Sequence, residues 1–205
     1  MLYRRALVLG FLCLACAVHT TRAQGAAQGA DSPLRRGDVL VVKVAGDSIV
    51  SDAYTIEPDG SVLLPRIGRV SLVGVAASAV PAVVRQSLSR VFLADEAVVR
   101  PLRRVTVVGE VTKPGVYHLE LLTSLRDAVA AAGALGEFAD PRYVVLLRDG
   151  TERRLDQWQR SQEAASPIVS GDVLSIPRES WLKRNALNVV SSLGIVITTF
   201  VAVRR

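Results

Sequence analysis

Glycosidic bonds are cleaved by two carboxyl groups that face each other across the bond, and carboxyl groups are the reactive side chains this sequence offers most readily. Glu57, Asp59, Glu110 and Asp127 are the candidates. All four stand beside turn residues or at the start of a helix, where acids serve the backbone as hydrogen-bond acceptors. His118 has no sequence neighbour that suggests a nucleophilic triad. Arg35-Arg36 and Arg103-Arg104 are double cations able to meet acidic sugars, although paired arginines are more often solvated. The sequence therefore assigns no catalytic residue, no cofactor site and no metal site.

Composition narrows the classes further. Apolar residues make up 50% of the 205 and charged residues 21%, a balance that supports a packed core and argues against global disorder. Aromatic residues are only 5%, which suits short strands and small helices better than a ligand cage of rings. Residues 1–23 read as a secretory signal: Arg4 and Arg5 start it, Ala6–Val18 is apolar, and Thr21-Arg22-Ala23 is a cleavage site before Gln24. The rival is a lipoprotein signal with Cys16 acylated after Cys13-Leu14-Ala15. Cleavage after Ala23 is the preferred expectation, with no lipid attached. It removes both cysteines and leaves His118 as the one histidine, which excludes a disulfide framework, a cysteine nucleophile and a Cys/His zinc site. Net charge then falls from +6 to +3, because Arg4, Arg5 and Arg22 leave without an acid. A secreted chain with no basic stripe of interleaved aromatics is a poor nucleic-acid binder.

The elements follow from turn residues and periodicity. Residues 24–33 form a flexible leader rich in Gly, Ala and Gln. Gly37-Asp38 turns the chain into a strand ending near Val44. Tyr54–Glu57 and Ser61–Leu64 are expected as two strands joined in a hairpin at Pro58-Asp59-Gly60. Pro65 and Gly68 lead into another strand that ends at Gly74. Ser78 is expected to cap a helix running to about Leu93, with Pro81 in the first turn and Val83, Val84, Leu88, Val91 and Phe92 as its apolar face. Val105–Tyr117 is a strand pattern broken at Gly109-Glu110, where the glycine signals a bulge or a close backbone approach. Lys113-Pro114-Gly115 should then make a hairpin turn with Gly115 at positive φ. Thr123 caps a short helix, Ser124–Ala132, closed by Gly133. Arg142–Leu147 is a strand and Arg148–Thr151 its turn. Pro167–Ile176 closes the fold with a second Gly-Asp-Val-Leu at Gly171-Asp172, the same turn-into-strand device as at Gly37-Asp38.

Two motif sets carry a resemblance. Val-x-Val-x-Gly-Glu-Val-x-x-Pro-Gly-x-Tyr at 105–117 resembles the opening of the soluble-ligand-binding β-grasp domain of bacterial polysaccharide export proteins. Gly-Asp-Val-Leu, then Asp-Gly-Ser-Val-x-Leu-Pro-x-Ile-Gly-x-Val, then a helix, resembles the polysaccharide export domain of the same proteins. Two departures stand out: Ala76-Ala77-Ser78-Ala79 lacks the acids that open the family's helix, and Gly133-Ala134 replaces a pair of glycines. The resemblance implies an α+β chain with an export domain at 34–103, a β-grasp-like domain at 104–178 and a C-terminal membrane helix within 179–205.

Ala186–Val203 is an uncharged stretch of 18 residues between Lys183-Arg184 and Arg204-Arg205. As a helix it spans ~27 Å, close to the ~30 Å hydrocarbon core. Val189, Val190, Leu193, Val196, Ile197, Phe200 and Val201 share one face, the expected lipid side. Asn185, Asn188, Ser191, Ser192, Thr198 and Thr199 gather opposite, and a lone helix would expose them to lipid at a cost. Several copies could turn that polar stripe inward as a pore lining. The resemblance implies the same: an octamer-like ring whose helices cross the outer membrane, with a capsular or exopolysaccharide in transit and an inner-membrane co-polymerase as partner. The expected place is the periplasm and outer membrane, with no chemistry performed and no cofactor needed. The alternative is a tail-anchored periplasmic sugar-binding or adaptor module of an envelope complex.

Overall fold

The computed structural model describes residues 31–92 and 97–180. The expected signal 1–23, most of the 24–33 leader and the C-terminal helix lie outside the described residues. Among the described residues, no helix is long and apolar enough to cross a membrane.

In chain order the elements are β1 (Val39–Val44), β2 (Ala53–Thr55), β3 (Ser61–Leu64), β4 (Gly68–Ser71), α1 (Val80–Leu88), β5 (Ala97–Gly109), β6 (Gly115–Glu120), α2 (Leu125–Ala131), β7 (Tyr143–Arg148), β8 (Thr151–Asp156) and β9 (Val173–Ile176). One sheet runs β2-β1-β5-β9-β7-β8, with β6 on the other edge of β5, while β3 and β4 form a separate hairpin. The α+β class expected from the sequence fits this mixture of sheet and helices.

Strand β5 is the axis, because its alternation serves both halves of the chain. Side chains alternate faces along a strand, so its odd residues share one side. Ala97 and Val99 enter a first core with Leu40, Val42, Ile56, Leu64, Val84 and Leu88. Further along the same side, Val105 and Val107 enter a second core with Val129, Trp158, Leu174 and Ile176. Antiparallel β1 covers Ala97–Leu102, parallel β9 covers Thr106–Gly109 on the same edge, and β6 pairs with Leu102–Val107 across from them. The boundary expected between 103 and 104 thus falls inside a continuous strand, at the point where one core gives way to the other.

Several local expectations need correction. Pro58-Asp59-Gly60 does turn the chain, with Gly60 N–H donating to Glu57 O at 3.0 Å. It does not make a hairpin of its flanks: β2 stays on β1, and β3 pairs with β4 instead. The real hairpin bends around Pro65–Ile67, where Arg66 (φ 64°) and Gly68 (φ 91°) take the left-handed conformations. Helix α1 begins after Ala79 without a side-chain cap, and the Ser78 hydroxyl donates to Asp31 instead. It stops at Leu88, short of Leu93. The Ser87 and Ser89 hydroxyls bond Val83 O and Gln86 O, and such local bonds compete with helix continuation. Ser124, rather than Thr123, caps α2. Its hydroxyl accepts from Asp127 N–H while the Asp127 carboxylate accepts from Ser124 N–H, a reciprocal capping box.

The connection from β5 to β6 is the main surprise. Gly115 opens β6 without a positive φ, and Pro114-Gly115 is not the centre of a tight turn. Residues 110–114 loop out instead and bond the end of α2, through Thr112 N–H to Ala134 O at 3.3 Å and Lys113 N–H to Ala132 O at 2.9 Å. Gly109 takes the left-handed conformation, φ 90°, and fulfils the expected close approach. A Cβ there would stand 2.1 Å from Ile176 O.

Candidate functional site

The two Gly-Asp-Val-Leu segments are one local device built twice. Gly37 and Gly171 hold φ of 85° and 87°. Asp38 N–H donates to Arg35 O at 3.0 Å and its carboxylate accepts Arg35 N–H at 2.7 Å. Asp172 repeats both bonds with Val169, at 3.1 and 2.8 Å. Both turns then grip the same residue of β5. Arg104 N–H donates to Asp38 Oδ1 at 2.7 Å, and Arg104 O accepts from Gly171 N–H at 2.8 Å.

Charge follows the same geometry. Asp172 is 1% exposed and accepts two hydrogen bonds from Arg148, at 2.8 and 2.6 Å. That bond holds the Arg148 guanidinium above its ordinary pKa. Arg103 is fully buried between the two cores and donates to Ser32 Oγ at 2.7 Å and Ser32 O at 3.0 Å. Burial pushes its pKa down, while Asp38 and Asp172 pull it back up. The expectation of a solvated Arg103-Arg104 pair is therefore corrected at Arg103, because alternation along β5 puts 103 inward and 104 outward. Arg35 pairs with Asp149 at the surface.

The carboxylates considered for hydrolysis are engaged in structural contacts. Glu57 and Asp59 both bind Arg69 at 2.6 Å, and Asp59 also accepts from Ser61 N–H and Oγ. Those bonds hold the Asp59 carboxyl below its ordinary range, the Ser61 hydroxyl foremost. Glu110 faces Arg178 at 3.5 Å. Asp127 serves the capping box, which lowers its pKa through the Ser124 hydroxyl and amide. No cluster of three or more His, Cys, Asp or Glu able to hold a metal occurs among the described residues. Pro114 and Gly115 open the way into β6, and Pro65 and Gly68 shape the β3–β4 hairpin. The two sets belong to different sheets.

The even face of β5 builds something the sequence reading missed. Val98, Arg100, Leu102 and Arg104 point away from the cores. They meet Lys43 and Val41 of β1 on one side and His118 and Glu120 of β6 on the other. A groove of about 580 Å³ lies along this face, within the ~300–1,000 Å³ of small-molecule clefts. Its floor is Val41, Val98 and Leu102, and Lys43, Arg100 and His118 stand around it. Alternation in 39–44 and 97–104 was the available signal, but the pairing that joins these strands is non-local. The residues named for the pore and lipid faces, 185–200, lie outside the described residues.

Comparison with known proteins is consistent with the two-part layout. Residues 26–111 match the family model of polysaccharide biosynthesis/export proteins, and residues 104–156 match that of the SLBB domain. The two matches overlap at 104–111, where β5 passes from one core to the other. Two curated relatives, both named polysialic acid transport protein KpsD from Escherichia coli, are each 29% identical over 160 residues. The aligned region covers 73% of this chain and 29% of the relatives' own length.

Proposed function

We propose that this chain, whose residues 26–111 match the polysaccharide biosynthesis/export model and whose residues 104–156 match the SLBB model, is a ring-forming conduit for a capsular or exopolysaccharide. The observation that carries the reading is the order of the two domains, export then SLBB, matched across residues 26–156. In this mechanism the protein performs no bond chemistry. It supplies a wide hydrated path lined by polar side chains, and weak contacts let the polymer advance. Copies of the chain would pack as a ring of octamer-like size in the periplasm. The C-terminal helices would cross the outer membrane, and an inner-membrane co-polymerase would meet the ring from below. The relatives' name makes an acidic glycan the substrate class to test first.

A second reading, the tail-anchored sugar-binding or adaptor module, draws support from the open groove on the sheet, which a conduit does not require. Particle images of the full-length, detergent-extracted protein separate the two. A closed ring is expected, and a monomer would replace the conduit with the adaptor. On such rings, Asn188→Cys, Ser192→Cys and Thr199→Cys should react with a charged, membrane-impermeant thiol reagent. Leu193→Cys, Ile197→Cys and Phe200→Cys should react poorly, being against lipid where little thiolate forms. Equal labelling of both sets would contradict the pore lining.

A further inference from the structure

We propose that the groove over β1, β5 and β6 is a binding surface for carboxylate-bearing sugar residues, a weak contact along the path of an acidic glycan. This rests on the export reading and adds to it a location and a set of residues. Three features of the groove point the same way.

Its charge is mainly positive, with Lys43 and Arg100 against the one carboxylate of Glu120 among the described lining residues. Lys43 and Arg100 stand on adjacent strands, with Val41 opposite Arg100 and Lys43 opposite Val98 in the register. Such diagonal neighbours lie ~7–8 Å apart, within reach of one pyranose and its carboxylate for long side chains. Neither cation forms an ion pair with a described carboxylate, whereas eight of the described arginines do. Arg104 continues the row beyond the groove, its side chain lying over Gly37. His118, opposite Arg104 on β6, adds ring nitrogens able to bond hydroxyls or a carboxylate.

Its floor is apolar and shallow. Val98 is 53% exposed, and with Val41 and Leu102 it offers a surface for the C–H face of a sugar ring. Among the described residues no aromatic side chain lines the groove, so they do not supply the large contact area of a ring. Binding should be weak and salt-sensitive, as charge contacts in an open site are screened. A polymer that must keep moving needs that kind of contact.

Its single acid sets polarity. Glu120 lines the same groove, opposite Leu102 in the register, and stands two residues along β6 from His118. A carboxylate held by Lys43 and Arg100 would keep away from it, which leaves Glu120 to accept bonds from neutral sugar hydroxyls.

Affinity electrophoresis of the full-length protein tests this, because it resolves weak binding to a polymer cast in the gel. Polygalacturonate is the acidic probe and dextran the neutral one. The parent protein should be retarded by polygalacturonate and run freely in dextran. The Lys43→Gln/Arg100→Gln pair should weaken retardation roughly five-fold, as expected for two exposed charge contacts. Arg85→Gln/Arg90→Gln, which removes the same charge from exposed residues of α1 and the turn after it, outside the groove, should leave it unchanged. Equal loss in both pairs would mean bulk charge attraction alone and overturn the site. So would undiminished retardation of Lys43→Gln/Arg100→Gln, or none for the parent. This gel reads the groove without reading export, so the groove and the conduit can fail separately.

Discussion

Gly109→Ala is expected to destabilise the chain by about 3 kcal/mol or more, whereas Gly115→Ala should change it by no more than ~0.5 kcal/mol. The two glycines stand six residues apart in the same motif and look alike in sequence. Gly109 holds φ 90°, and a methyl group there would meet Ile176 O at 2.1 Å. That oxygen cannot withdraw cheaply, since it accepts Glu110 N–H at 3.0 Å where β9 joins the end of β5. Nothing lies within 4 Å of a Cβ at Gly115, and its backbone is not left-handed. Urea unfolding of both variants measures the difference. Equal losses would place the strain at the turn before β6 and remove the close approach of β5 and β9 from the account.

Asp172→Ala should cost about 3 kcal/mol, at the lower end of what breaking a buried ion pair costs. The carboxylate is buried and holds Val169 N–H together with two donors of Arg148. Without it the amide loses its acceptor and the half-buried guanidinium its partner. Arg148 is 32% exposed, so water relieves part of the loss and keeps the figure low. Asp149→Asn removes the exposed pair with Arg35 and keeps a residue that tolerates the left-handed φ of 50° at that turn, so it should leave stability nearly unchanged. Asp38→Ala should resemble Asp172→Ala more than Asp149→Asn, because Arg104 N–H and Arg35 N–H both depend on its carboxylate. Thermal melts of the three variants check the ranking. A silent Asp172→Ala would show that the repeated Gly-Asp turn is not what clamps β5.

The sequence was most legible where a few neighbouring residues decide the structure. Both Gly-Asp turns were visible, since each needs one left-handed glycine and one acid reaching back three residues. The turn at Arg148–Thr151 was visible for a similar reason: Asp149 and Gly150 both take positive φ, as a two-residue hairpin requires. Its return strand β8 was missed. Thr-Glu-Arg-Arg-Leu-Asp buries only Leu155, and charged edge strands lack the apolar alternation that announces a strand. Pro58-Asp59-Gly60 was read as a hairpin because a turn signal does not say which strand its neighbour will choose. The inward Arg103 was hidden for a related reason: its burial follows from β1, β6 and β9 all closing on β5, and no local window contains those pairings. The groove was invisible on the same grounds, as it exists only once Lys43, Arg100 and His118 meet across three strands.

Export itself is tested most directly on the cell surface of the host. Removing the chain and restoring it from a plasmid, with acidic capsular glycan quantified outside the cell and within the envelope, isolates its contribution. The conduit predicts that surface glycan is lost on removal, accumulates inside the envelope and returns with the restored chain. Surface glycan at parental levels in cells lacking the chain would contradict it.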